Sequence, residues 1–168
     1  MDIQTILDYF SQYGYFLLFF IVFLEYLNLP GLPAGIIMPA AGILISQSGM
    51  TFTTALIVSV LAGLLGSYTL YAIGVFVGQP SIDWLTTKFE STREPIDKTI
   101  ASIDKHGNKA VLIARVLPVI RTIISLPAGA FKMKLIPFTM YSVVGITIWN
   151  FVYIFAGYAF GDFFLDKF

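Results

Sequence analysis

The sequence predicts an all-α integral membrane protein, built of spanning helices and two opposed re-entrant hairpins in an inverted repeat. Three observations predict it. The 168 residues are 57% hydrophobic and only 12% charged, whereas a typical soluble domain carries about 25% charged residues. A chain this poor in charge cannot build a polar surface over a core. The charge it has is gathered in one stretch between two apolar halves, and each half contains a proline-interrupted apolar segment.

The whole of 1–168 is read as one membrane domain, with a first repeat over 10–77, a connector over 78–109 and a second repeat over 110–161. A spanning helix needs about 20 apolar residues to cross a hydrocarbon core of about 30 Å. Three segments meet that length, at about Phe10 to Leu29, 52–77 and 137–160. Asp2 and Asp8 are the only charges before Glu25. The N-terminal segment therefore lacks the positive start of a secretory signal and is expected to stay in the protein.

Two further apolar segments do not read as simple spans. The first, 29–48, is LPGLPAGIIMPAAGILISQS, with Pro30, Pro33 and Pro39. The second, 110–133, is AVLIARVLPVIRTIISLPAGAFKM, with Pro118, Pro127, Arg115 and Arg121. Proline removes a backbone donor and crowds the preceding turn, so each segment is expected to break. Backbone groups freed in lipid must face protein or a wet cavity. Both segments are therefore read as re-entrant hairpins packed inside the bundle.

The halves share an order. Pro39-Ala40-Ala41-Gly42 leads into a span that ends with Gly74 and Gly78. Pro127-Ala128-Gly129 leads through Lys132 and Lys134 into a span that ends with Gly157 and Gly161. Glycine four residues from glycine commonly packs membrane helices, so the shared order carries more weight than the spacing.

Ten of the twenty charges lie between Asp83 and Lys109, five of them basic. Their spacing fits one or two amphipathic helices at the membrane surface, against the default of a solvated linker. Basic residues favour the cytoplasmic side. Placing this connector, Lys132 and Lys134 there puts the N-terminus inside, the C-terminus outside, and the two hairpins on opposite faces. Broken helices meeting at mid-membrane in inverted repeats are a recurrent transporter plan.

Only Glu25, Arg115 and Arg121 look embedded. Each such charge costs roughly 2.5–3.5 kcal/mol at a helix centre unless it faces protein or water. Glu25 and Arg115 precede the prolines of their halves at comparable places, so a meeting of the two is expected. One carboxylate cannot satisfy two guanidinium groups. The excess positive charge points to an anion, and a phosphate fits the planar guanidinium fork. Pro39, Pro127, Gly129, Pro30, Pro33, Pro118 and Asn28 are expected to line the broken-helix path beside these charges.

Other residues carry less. His106 stands in the charged stretch and reads as a solvated loop residue. Asn28 and Asn150 suit interhelical hydrogen bonds, with packing as the default. Trp84 and Trp149 read as interfacial anchors, and Lys132 and Lys134 as positive-inside markers or rim residues. There is no cysteine. No catalytic residue, cofactor or metal site is expected. The zero net charge gives no reason for a nucleic-acid partner.

The second hairpin carries a resemblance. The run Arg115-x-x-Pro118-x-x-Arg121, continuing to Pro127-Ala128-Gly129 and Met133, resembles the signature of the DedA family of bacterial membrane proteins. Phe23-Leu24-Glu25, Ala41-Gly42, Gly66, Tyr71, Gly74 and Gly78 are similar to the family's pattern elsewhere, so the likeness spans nearly the whole chain. It implies a lipid transporter of the bacterial cell membrane, a flippase or scramblase. The implied substrate is undecaprenyl phosphate or a phospholipid such as phosphatidylethanolamine. Glu25, Arg115 and Arg121 fall on the family's essential acid and arginines. Two acids common in the family, which bear on proton coupling, are Gly35 and Ser67 here.

The alternative expectation is a small-cation or drug–proton antiporter using Glu25, although two neighbouring arginines would repel a cation. Enzymatic action on lipid phosphates is disfavoured, because no histidine or aspartate cluster falls in an apolar segment. The small-residue pairs fit helix packing within one chain or in a homo-oligomer.

Overall fold

A computed structural model describes residues 3–27, 34–48, 50–117 and 120–165. The described residues are helical almost throughout, with no strand. In order they form α1 (Ile3–Tyr26), α2 (Ala34–Gln47), α3 (Phe52–Val77), α4 (Gln79–Lys88), α5 (Arg93–His106), α6 (Ala110–Val116), α7 (Ile120–Ile123), α8 (Ser125–Ala130) and α9 (Leu135–Leu165).

α3 and α9 are apolar around their whole circumference, the pattern of helices surrounded by hydrocarbon. The stretches Phe52–Val77 and Leu135–Phe160, 26 residues each, are long and apolar enough to cross a membrane. At 1.5 Å per residue each reaches about 39 Å. Several of their hydroxyls donate within the helix, Ser67 to the Gly63 carbonyl (2.6 Å) and Thr69 to that of Leu65 (2.9 Å). Phe76, Ile136, Met140 and Phe160 point outward.

Two proline expectations need correction. Pro39 lies inside α2, which continues through it to Gln47. The missing donor costs only a bond to Gly35 in the first turns of that helix, where Gly35 is exposed. Pro127 lies in the first turn of α8, where the N–H of any other residue would have no partner within that helix. The second apolar segment does break, as expected, and does so near Leu117, the extended residue that caps α6. Asn28, Pro30, Pro33 and Pro118 lie outside the described residues.

The helices interlock crosswise. α2 packs on α9, and α8 packs on α3, so each short helix rests on the long helix of the other half. Glycine sets both contacts. A methyl group on Gly42 would overlap the Ile154 carbonyl of α9, and one on Gly157 the Pro39 carbonyl of α2. Likewise Gly74 would overlap the Leu126 carbonyl of α8, and Gly129 the Tyr71 carbonyl of α3. Close backbone approach replaces the hydrophobic effect as the source of helix association in lipid.

Tyrosines pin the two turns. The Tyr15 hydroxyl accepts a bond from the Thr51 N–H ahead of α3 (3.0 Å), and the Tyr71 hydroxyl donates to the Met133 carbonyl ahead of α9. Lys132 supplies the left-handed residue (φ 50°) that ends the α8 turn. The connector is more ordered than a solvated linker. Ile82 of α4 and Ile96 of α5 are buried against Ile123 and Leu126, while Trp84, Asp83, Lys88, Arg93, Glu94, Asp97 and Lys98 face out.

Candidate functional site

The three embedded charges converge in the interior. Glu25, Arg115 and Arg121 are each at most 3% exposed. Glu25 comes from the end of α1, Arg115 from the last turn of α6 and Arg121 from α7. The interruption after Val116 allows both arginines to point into the same space, since a continuous helix would separate side chains six positions apart.

Arg121 Nη2 donates to Glu25 Oε1 in a buried ion pair. This corrects the expected meeting of Glu25 with Arg115. Arg115 is held by neutral acceptors: Nη1 donates to the Arg121 carbonyl (2.5 Å), and Nη2 to Ser125 Oγ (3.0 Å) and Ser142 Oγ (3.1 Å). Gly145 makes room for it, because a methyl there would overlap Arg115 Cβ.

Aromatic rings enclose the cations. The Arg121 guanidinium lies 4.7 Å from the Trp149 ring centroid and 5.0 Å from that of Tyr26. Arg115 lies 5.8 Å from Phe138 and 5.9 Å from Tyr26. Each such contact contributes about 0.5–2 kcal/mol, more when desolvated. Trp149 is therefore a buried wall of the site and not the interfacial anchor its residue type suggested.

A second layer holds Tyr26. Its hydroxyl donates to Asn150 Oδ1 (3.3 Å), and Asn150 Nδ2 donates to Ser59 Oγ (3.1 Å). This links α1, α9 and α3 around the charges. Tyr26 fits there because Gly63 and Gly66 leave its ring space on α3.

Not everything is satisfied. Among the described residues, Arg115 Nε, Arg121 Nη1 and Trp149 Nε1 are buried donors with no hydrogen-bond partner, and Glu25 Oε2 is a buried acceptor with none. Two guanidinium groups against one carboxylate leave an excess of one positive charge. Three spare donors beside excess positive charge form an environment for an anion.

The remaining predicted positions lie elsewhere. Pro39 and Gly129 serve helix crossings, Pro127 is buried in α8, and Lys132 and Lys134 are exposed at the turn before α9. His106 is exposed at the end of α5. Sequence reasoning passed over Tyr26, Ser125, Ser142 and Gly145. Serine and glycine in apolar helices have too many packing roles to stand out, and Tyr26 is one of nine tyrosines.

The VTT domain matches residues 32–159. Undecaprenyl phosphate transporter A of Staphylococcus aureus is 31% identical over 95% of this chain and 80% of its own length. Protein DedA of Escherichia coli K12 is 30% identical over 90% of this chain and 72% of its own. An alkaline phosphatase-like protein of Lactococcus lactis is 29% identical over 95% of this chain and 76% of its own. No solved structure matches the chain.

Proposed function

The chain belongs to the DedA family of VTT-domain membrane proteins, and from that premise we propose that it moves a phosphate-bearing lipid between the leaflets of the bilayer. The observation that carries this is the buried pair Arg115 and Arg121 facing a single carboxylate, with three spare donors around them. The name of the S. aureus relative, an undecaprenyl phosphate transporter, supports a lipid phosphate as the ligand. A phosphatidylethanolamine-type phospholipid offers the same phosphate chemistry.

In the empty state Glu25 neutralises Arg121. An arriving phosphate competes for Arg121 Nη2 and engages Nη1 and Arg115 Nε, so the ion pair opens as the head group enters. Protonation of Glu25 would release Arg121 in the same way, which is the point where a proton could couple. Hydrocarbon tails stay in the bilayer, and only the head group crosses through protein.

The inverted repeat belongs to the same reading. In it, the first repeat (10–77) with its hairpin 29–48 and the second (110–161) with its hairpin 110–133 are equivalent units whose hairpins enter from opposite faces, with the N-terminus and the connector cytoplasmic. Its support is the exchange of contacts, Gly42 with α9 and Gly129 with α3, in which each short helix grips the other unit's long one. Such a pair can rock about one central site. Cation antiport through Glu25 is disfavoured by the two guanidinium groups at its side. A phosphatase activity finds no support in His106, which is exposed at the end of α5.

The test is reconstitution of the purified protein in liposomes with labelled phosphatidylethanolamine and a labelled polyprenyl phosphate. Leaflet exchange is followed beside an Arg115→Gln/Arg121→Gln variant. Exchange of one lipid that depends on the arginines is expected, and equal exchange in the folded variant would sink the proposal.

A further inference from the structure

Between α1 and α2 runs a groove lined by Leu18 and Ile21 on one side and by Ile37, Ala40, Ala41 and Leu44 on the other. The spacing is i, i+3 on α1 and i, i+3, i+4, i+7 on α2, so one face of each helix forms a wall. Two alanines keep it open, where larger side chains would fill it. It holds about 170 Å³, several times the roughly 30 Å³ share of one water. Every lining side chain is hydrocarbon, so a water there would find no side-chain partner.

The groove points at the charged site. Leu18, Ile21 and Glu25 fall at i, i+3 and i+7, on the same stripe of α1. Ile21 is four residues from Glu25, about 6 Å along the helix axis. A hydrocarbon chain lying in the groove would thus end about one helical turn from the Glu25–Arg121 pair. That is the separation expected between the first methylenes of a lipid chain and its phosphate.

We propose that this groove holds the upper part of one hydrocarbon chain of a lipid whose phosphate sits at Arg115 and Arg121, an inference that rests on the lipid reading above. Moving a chain from the bilayer into an apolar groove gains no hydrophobic free energy, because lipid tails are as apolar as leucine. The groove therefore sets register and not affinity, and its occupancy depends on the head group being held. A chain without a phosphate should not concentrate there.

The test uses the full chain in phosphatidylethanolamine–phosphatidylglycerol vesicles. These carry phosphatidylethanolamine with a diazirine near the top of one acyl chain, or diacylglycerol with the same chain, and labelled residues are mapped by mass spectrometry. The phospholipid is expected to label the groove residues several-fold above outward positions such as Phe76 and Ile136. Labelling should fall several-fold with diacylglycerol and in Ala40→Phe. It should persist in Ala72→Phe, which fills the separate apolar groove beside Tyr68 and Leu135. Uniform labelling around the outer surface, equal labelling by diacylglycerol, or labelling unchanged in a folded Ala40→Phe protein would each overturn the proposal. Groove labelling without leaflet exchange in the liposome assay would uphold the chain site and remove the transport reading.

Discussion

Arg121 reaches Glu25 across 96 positions of chain and engages only one of its carboxylate oxygens among the described residues. The pair joins the end of α1 to the short helix α7. Removing one partner of a buried pair leaves the other charge uncompensated, at a cost of about 3–5 kcal/mol. Glu25→Gln is therefore expected to destabilise the protein by that order, measured by reversible unfolding in mixed detergent micelles. Glu25→Gln/Arg121→Gln should recover part of the loss, because no charge is then left alone. Additive losses in the double variant would mean the two side chains do not depend on one another.

Arg115 differs from Arg121 because its partners are neutral. Its two terminal nitrogens reach a carbonyl and two hydroxyls at once. A lysine would keep the charge and lose the fork that spans them. Arg115→Lys is expected to lower leaflet exchange nearly as far as Arg115→Gln. Ser125→Ala and Ser142→Ala should each cost about 1.5–3 kcal/mol, the range for hydrogen bonds to charged groups. Full transport by Arg115→Lys would show that charge alone suffices at this position.

The helical class was legible because charge was scarce and apolar runs were long, and those properties are local. The buried charges were legible for a related reason: three ionisable residues in apolar segments stand out against their neighbours. Their partners were not. Glu25 and Arg115 occupy similar places before prolines, yet the interruption after Val116 turns Arg121 toward Glu25 and leaves Arg115 to the serines. Pairing depends on where the chain bends, and several prolines in each segment left the position of the bend open; neither Pro39 nor Pro127 marks it. Proline is tolerated near a helix start, so its presence alone does not locate a break. Trp149 was misplaced because tryptophan in an apolar segment usually marks an interface, and only the fold brings Arg121 to its face.

Trp149 and Trp84 make a paired comparison. Trp149 is buried against Arg121, while Trp84 is exposed on α4 with Lys88 4.9 Å from its ring centroid. Trp149→Leu is expected to remove a desolvated cation–π contact of about 2 kcal/mol and to lower leaflet exchange. Trp149→Phe keeps a ring and should retain more of both. Trp84→Leu should leave exchange and unfolding nearly unchanged. Exchange that survives Trp149→Leu would separate the aromatic wall from the function of the arginines.

The glycine crossings yield the most discriminating stability prediction, because they tie the two halves together without any charge. Gly42 and Gly157 bring α2 against α9, and Gly74 and Gly129 bring α3 against α8, each so closely that a methyl group meets backbone and not a movable side chain. Overpacking of this kind costs about 1–3 kcal/mol. Gly42→Ala and Gly129→Ala, at corresponding places in the halves, should therefore destabilise by similar amounts. Gly35→Ala has open space around its new methyl and lies in a helix, so it should be neutral or stabilising by about 0.5–1 kcal/mol. If the halves rock about these crossings, Gly42→Ala and Gly129→Ala should also slow leaflet exchange at temperatures where both variants remain folded. Unfolding midpoints for the three variants, with exchange rates from the same preparations, separate a packing role from a moving one. Lost stability with unchanged exchange would make the crossings static clamps.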